Sequence, residues 1–191
     1  MGFFVSIKYK FCDIFCKVRE RRWTFVFCAA VTLIGFILGI VFFCISNYGW
    51  WYYNRCSYAS KLPEAGFGVF MSYLFACVVL YLLYALCNMT RVTHYLTFFV
   101  NLVACIYCGA TTAAVFVYST VWGIMYVITV VLIWLTTMCF AYFCCMIEPP
   151  VCRSFTESIC DSKELQFVLF VGFVCKIISM FVILKILTML I

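Results

Sequence analysis

A lysine inside a long apolar run is the residue of this sequence that most needs a chemical explanation. Lys176 lies within the run 167–191, and no acidic residue lies inside any long apolar run to pair with it. Ionisable groups in such runs often mark a solute or ion path. Lys185 falls half a turn out of phase, so the two lysines cannot line one wall. One hypothesis is a small transporter or permease component centred on Lys176. The alternative is a lysine that seeks an interface or pairs with another protein.

The cysteines offer a second possible chemistry, since the chain contains 15 of them. Cys105 and Cys108 are spaced as a thiol pair, which would suit a membrane thiol-redox enzyme. Most cysteines, however, lie in apolar runs, where cysteine behaves as a small hydrophobic residue. A structural zinc site needs four ligands, whereas His94 is the only histidine and Cys12 with Cys16 supplies two. We therefore predict no metal and no cofactor.

The signatures of common enzyme classes are missing from the sequence. It contains no HExxH, no GxSxG and no phosphate-binding Walker loop, and no apolar run carries a pair of carboxylates. The residues that remain suit binding to other molecules rather than catalysis of a reaction. We predict a protein that is not an enzyme.

Small residues at four-residue spacing form two candidate contact faces. Gly35 with Gly39, and Gly109 with Ala113, match the pattern that lets two membrane helices approach closely. Such a face serves either a second protein, which includes another copy of this chain, or packing within the same bundle. For the Gly109 face the sequence favours packing within the bundle, and for the Gly35 face both interpretations remain open.

Four consecutive aromatic residues follow the first apolar run, namely Trp50, Trp51, Tyr52 and Tyr53. Aromatic side chains at a membrane exit typically form an interfacial belt. Trp and Tyr also dominate the contact patches of protein interfaces. The belt is the favoured interpretation, and an outer aromatic patch for an extracytoplasmic partner is the alternative.

The elements that must position these residues follow from the composition. The 191 residues are 68% hydrophobic and 10% charged, whereas soluble domains carry about 25% charge. A bilayer core about 30 Å thick needs about 20 apolar residues in a helix. Five runs qualify, at 23–45, 67–89, 95–118, 122–146 and 167–191. We predict an all-α, polytopic membrane helix bundle with about five transmembrane helices, forming a single integral membrane domain over 1–191.

The N-terminal segment 1–22 is predicted to be a basic amphipathic helix at the cytoplasmic surface. Its six Lys and Arg residues suit attraction to anionic membrane lipid, and its apolar residues recur at helical spacing. With this end inside, positive charge concentrates on the inner side of the predicted spans. We therefore predict a protein of the cell membrane with a cytoplasmic N-terminus. The same concentration of the +6 net charge argues against nucleic-acid binding.

The last run has two possible arrangements. Lys176 and Lys185 would allow that helix to lie partly against the membrane surface, which would leave four spans.

Part of the chain, from Glu64 to about Phe140, resembles the stage II sporulation protein M family of bacterial membrane proteins. The likeness rests on small residues that begin one apolar helix, an aromatic beside small residues in the next, and an aromatic-plus-glycine turn into a third. These positions are Ala65, Gly66 and Gly68; Tyr107, Gly109 and Ala110; and Tyr118, Trp122 and Gly123. The resemblance implies a non-enzymatic scaffold that recruits peptidoglycan-degrading partners to the septal membrane during engulfment of the forespore.

The leading functional hypothesis is thus a membrane scaffold that organises partner proteins. Its expected partners are membrane lipid and other membrane or extracytoplasmic proteins, which include a second copy of the chain. The Lys176 transporter and the Cys105–Cys108 redox enzyme are the alternatives.

Overall fold

The computed structural model describes residues 2–46, 52, 54, 56, 67–118, 120–147 and 163–190. Within these ranges the regular secondary structure is entirely helical, as predicted, and no strand occurs. The long helices follow from the continuous apolar runs, because in an apolar surrounding a helix satisfies the backbone N–H and C=O groups internally.

The helices have the following bounds in chain order. They are α1 (Gly2–Glu20), α2 (Arg22–Ile45), α3 (Phe67–Cys87), the single turn α4 (Arg91–His94), α5 (Leu96–Tyr118), α6 (Thr120–Tyr126), α7 (Leu132–Ile147) and α8 (Lys163–Leu190). A π-helical segment, Val127–Val131, joins α6 to α7, so the fourth predicted span is one helical run with a local widening. The fifth predicted span begins earlier than expected, at Lys163.

Two helices in the described part of the chain are long and apolar enough to cross a membrane. They cover Arg22–Ile45 and Val92–Val117. Shorter apolar helices cover Leu74–Cys87 and Leu132–Ile147. The five-span arrangement therefore stays a prediction, whereas the all-helical architecture is observed.

The parallel pair α2 and α5 forms the centre of the bundle. Their contacts advance together along both chains, from Thr32 with Asn101 to Gly39 with Ile106, which shows that the two helices point the same way. Two helices that are not adjacent in sequence thus provide the closest backbone packing between long helices. Gly39 permits this approach, because it has no side chain to separate the helices.

The run that contains α7 packs against α2 in the opposite direction. Near the start of α2, Phe25 contacts Phe143 with ring centroids 5.5 Å apart. Near the end of α2, Phe43 belongs to one buried cluster with Val130. Because the residue numbers rise on α2 as they fall on the partner, the pair is antiparallel.

The N-terminal helix α1 packs across one end of the α7–α8 pair. Among the α1 side chains that the structure describes, those of residues 9–20, Ile14 is buried, at 4% exposure. The Phe15 ring lies 6.1 Å from that of Phe140, and the Phe11 ring lies 5.2 Å from that of Phe167. The segment is helical, as predicted, and its Phe11, Ile14 and Phe15 side chains contact or pack against α7 and α8.

Candidate functional site

Helix α8 carries Lys176 and is held closely against α7. A Cβ added to Gly172 would overlap the Thr137 side chain, with Thr137 Cβ only 2.8 Å away. One turn further along α8, Lys176 meets Trp134, which lies one turn earlier on α7. The two helices are therefore antiparallel, and Gly172 sets the distance that brings these side chains together. Sequence reasoning did not identify Gly172, because a lone glycine in a helix shows nothing about what faces it.

Lys176 is buried, with 6% of its surface exposed. Its Nζ lies 4.0 Å from the centroid of the Trp134 ring. This is a cation–π contact, in which the negative face of the indole attracts the ammonium group. The residue is also about 20 Å from the start of α8, at 1.5 Å per residue. The lysine predicted as an intramembrane charge is thus deep in the bundle and placed over an aromatic face.

A cavity of about 610 Å³ lies beside Lys176. Its walls come from α3, α5, the run containing α6 and α7, and α8, and most of the lining is aliphatic or aromatic. Its polar lining residues are Tyr107, Cys108, Thr111, Tyr126 and Lys176. This volume falls within the range of about 300 to 1,000 Å³ that is typical of small-molecule sites.

The charge of the cavity lining has one sign. Lys176 is the cationic group in the described lining, and no carboxylate occurs there. Thr111 donates its hydroxyl hydrogen to the Tyr107 carbonyl at 2.8 Å within its own helix. An apolar cavity with a single ammonium group is chemically suited to a ligand with an apolar body and an anionic or hydrogen-bond-accepting head.

A buried polar bridge ties α2, α3 and α5 together. The Tyr84 hydroxyl donates to Asn101 Oδ1 at 3.1 Å, and Asn101 Nδ2 donates to Thr32 Oγ1 at 3.2 Å. Thr32 in turn donates to the Cys28 carbonyl at 2.8 Å. All three side chains are buried, and Tyr84 and Asn101 have no exposed surface. The bridge connects three helices by directional bonds where apolar contacts alone would allow sliding.

This hydrogen-bonded bridge was not predicted from the sequence. One available signal was Asn101, an amide inside an otherwise apolar run, since an amide in such a place needs hydrogen-bond partners. The identity of those partners depends on which helices become neighbours, and no sequence spacing links Asn101 to Thr32 or Tyr84.

The predicted small-residue faces meet each other inside the chain. A Cβ on Gly35 would lie 2.9 Å from the Cβ of Cys105, and one on Gly39 would overlap the Ile106 carbonyl. On the facing helix, a Cβ on Gly109 would overlap the Phe36 carbonyl. Ala113 packs at the edge of the buried cluster nearby. The α2 and α5 faces thus lie in an intramolecular contact.

The outer aromatic patch lies mostly outside the described residues, which include Tyr52 but not Trp50, Trp51 or Tyr53. The Tyr52 ring stacks on that of Phe43, with centroids 4.9 Å apart. This contact joins the linker to the end of α2.

No disulfide bond joins the cysteines that the structure describes. Cys105 is fully buried in the α2–α5 contact, whereas Cys108 lines the Lys176 cavity. Across the described ranges no group of three or more His, Cys, Asp or Glu side chains is arranged to hold a metal ion.

An ion pair fixes α1 to the start of α8. Lys17 Nζ hydrogen-bonds to Glu164 Oε1 and lies 3.2 Å from Asp13 Oδ2. The hydrogen bond to Glu164 is the main reason that the pKa of Lys17 is raised, with partial burial opposing it and Asp13 adding to it. The side chain of Lys17 is one-third exposed, at 34%, so solvent screens the pair.

Comparison with known proteins gives no relative, since no family model, no curated protein and no solved structure matches the chain.

Proposed function

We propose that this chain is a polytopic integral membrane protein that acts as a non-enzymatic scaffold, with its N-terminus in the cytoplasm. The observation that carries the proposal is the outward surface of α2. Large apolar side chains project from it along its length, including Trp23, Val26, Ile34, Ile37 and Phe42, each at least half exposed. An apolar surface of this extent is typical of contact with lipid or with another protein.

The alternation of helix directions supports several crossings of the bilayer. Five consecutive crossings would make α2 and α5 parallel and the α7 run antiparallel to α2, and the contacts between them follow this order. The same arrangement would bring α1 and the start of α8 to one side of the membrane, in agreement with their ion pair.

The partner-binding role belongs to the outward face of α2 rather than to its glycines. Gly35 and Gly39 pack against α5, whereas Leu33 and Ile37 are more than half exposed. The resemblance to the stage II sporulation protein M family adds a candidate partner class, the peptidoglycan-remodelling enzymes. Recruiting such enzymes requires a surface and no catalytic residues.

Site-specific photo-cross-linking in native membranes tests this role. We expect a photoreactive residue in place of Ile37 to give protein adducts, and the same residue in place of buried Val31 to give none to other proteins. Adducts formed exclusively with lipid at Ile37 and at neighbouring outward positions would contradict the scaffold. Protein adducts of doubled mass that contain this chain alone would indicate self-association instead.

A second candidate function is a small transporter or permease component, and the cavity beside Lys176 favours it. The buried ammonium and the apolar walls suit passage of an organic anion. Flux of anionic dyes into proteoliposomes should fall for Lys176→Ala and recover partly for Lys176→Arg. Equal flux for both variants and the unaltered protein would reject this candidate without affecting the scaffold.

A further inference from the structure

A second apolar groove lies between α1, α7 and α8, away from the Lys176 cavity. It has a volume of about 430 Å³. Phe11, Ile14 and Phe15 of α1 form one wall, and α7 and α8 form the other two. The α8 wall extends from Phe167 to Cys175, a distance of about 12 Å at 1.5 Å per residue.

The depth of this groove matches one leaflet of a membrane. Half of a hydrocarbon core about 30 Å thick is about 15 Å, and the groove covers most of that distance. At the end away from Phe167, Leu132 and Cys175 line the groove and are exposed at the side of the bundle. If the bundle spans the bilayer as proposed above, an acyl chain of the same leaflet fits along this groove.

The mouth of the groove is positively charged. Lys10 Nζ lies 5.2 Å from the centroid of the Phe167 ring, which lines the groove. Lys163 is exposed one helical turn before Phe167, on the same side of α8. Neither Lys10 nor Lys163 forms an ion pair with a described residue.

The two nearby acidic groups share a single lysine, and Glu164 Oε2 has no hydrogen-bond partner among the described residues. Asp13 and Glu164 both pair with Lys17. Together with Lys10 and Lys163 these groups comprise three lysines and two carboxylates, so the mouth keeps a net positive charge for an external anion. An occupant that is apolar along about 12 Å and anionic at one end satisfies both parts of the groove.

We propose that the groove between α1, α7 and α8 binds one acyl chain of an anionic phospholipid, whose phosphate lies between Lys10 and Lys163. This inference rests on the proposed membrane insertion but not on the scaffold role. It makes α1 part of a lipid site with defined walls, beyond general attraction of a basic helix to a charged surface.

The full-length protein, reconstituted in phosphatidylcholine vesicles with a trace of phosphatidylglycerol carrying a photoreactive acyl chain, tests the site. After irradiation, mass spectrometry of the digested protein should place adducts on groove residues such as Phe15, Phe140 and Val171. Unlabelled phosphatidylglycerol should compete, and extra phosphatidylcholine should not.

Charge variants separate the site from bulk attraction. We expect Lys10→Gln with Lys163→Gln to weaken labelling by about fivefold for each lysine, as one direct hydrogen bond from a lysine to the phosphate contributes about this much. The matched control, Arg19→Gln with Arg21→Gln, removes the same charge from exposed positions outside the groove and should change labelling by less than about twofold. Equal loss in both pairs would overturn the proposal.

Filling the groove gives an independent readout. Thr136→Trp, at an exposed lining position, should remove groove adducts while leaving adducts elsewhere unchanged. Should this variant fail to fold, native mass spectrometry of the unaltered protein must still show one retained phosphatidylglycerol that the double lysine variant loses. Adducts spread evenly over all outward faces, or equal labelling by a photoreactive phosphatidylcholine, would refute the site. Failure of vesicle insertion itself, judged by extraction at high pH, would instead refute the membrane proposal.

Discussion

Replacement of Asn101 should lower the free energy of unfolding by more than the loss of two hydrogen bonds, because it also leaves a buried hydroxyl group without an acceptor. The Asn101→Leu variant keeps the branched shape of the side chain, at a larger volume, but removes the hydrogen bonds to Thr32 and Tyr84. Hydrogen bonds between membrane helices contribute about 0.6 kcal/mol on average, so losing both costs about 1.2 kcal/mol. Tyr84 has no exposed surface, and leaving its hydroxyl without an acceptor adds about 1 kcal/mol or more. We expect a loss of about 2–3 kcal/mol in the free energy of unfolding.

A double-mutant cycle isolates the bridge. Tyr84→Phe alone removes one bond and should cost about 0.6 kcal/mol. In the Asn101→Leu background the same change removes an unsatisfied hydroxyl, so it should be neutral or stabilising. The coupling between the two positions is then about 0.6 to 1.6 kcal/mol.

The assay is equilibrium unfolding in mixed micelles with an increasing fraction of denaturing detergent, followed by tryptophan fluorescence and far-ultraviolet circular dichroism. Thr112→Val serves as the control, because the buried Thr112 hydroxyl donates at 2.8 Å to the Cys108 carbonyl of its own helix. Its cost should stay below about 1 kcal/mol. Additive effects of Tyr84→Phe and Asn101→Leu, or a cost for Asn101→Leu no larger than the control, would refute the bridge.

Three further predictions concern other parts of the bundle. Gly39→Leu should lower the free energy of unfolding by about 1–3 kcal/mol, because the new leucine side chain would meet the α5 backbone. The control, Ala30→Leu at an exposed position of the same helix, should change the free energy of unfolding by less than about 0.5 kcal/mol. Equal effects of the two substitutions would contradict the close packing. Lys176→Met should change the fluorescence of Trp134, because the ammonium group lies 4.0 Å from the centroid of the indole ring. An emission spectrum identical to that of the unaltered protein would contradict this contact. The raised pKa of Lys17 means that its pairing with Glu164 contributes fully below the ordinary value of 10.5 and is lost as pH rises through the higher folded value. Spin-label distances between α1 and α8 should therefore be constant from pH 7 to 9 and lengthen only above about pH 10.5, and a change at lower pH would show that Lys17 is not the responsible group.

Helix length and polarity could be predicted well from the sequence, whereas lateral neighbours could not. The run 95–118 corresponds to Leu96–Tyr118 in the structure, because twenty or more apolar residues leave the backbone no better way to satisfy its polar groups. The same run does not specify that α5 lies parallel to α2. Both glycine faces were recognisable from spacing, but their pairing with each other depends on the whole bundle.

The site illustrates the same division. Lys176 was identifiable at once, since a charge in an apolar run is costly and needs a reason. Its contact with Trp134 was not, because the two residues belong to helices whose separation is set by Gly172 against Thr137.

The sequence by itself determined that most of the chain forms apolar helices and that Lys176 is an exception within one of them, because these properties depend on local composition and period. The tertiary structure alone decided that Tyr84, Asn101 and Thr32 share hydrogen bonds, and that a cavity opens beside the lysine. The physical reason is the separation along the chain between the residues that interact. Backbone hydrogen bonds in a helix join residues four apart, whereas helix neighbours are selected by the fit of whole surfaces, to which residues far apart in the chain contribute together.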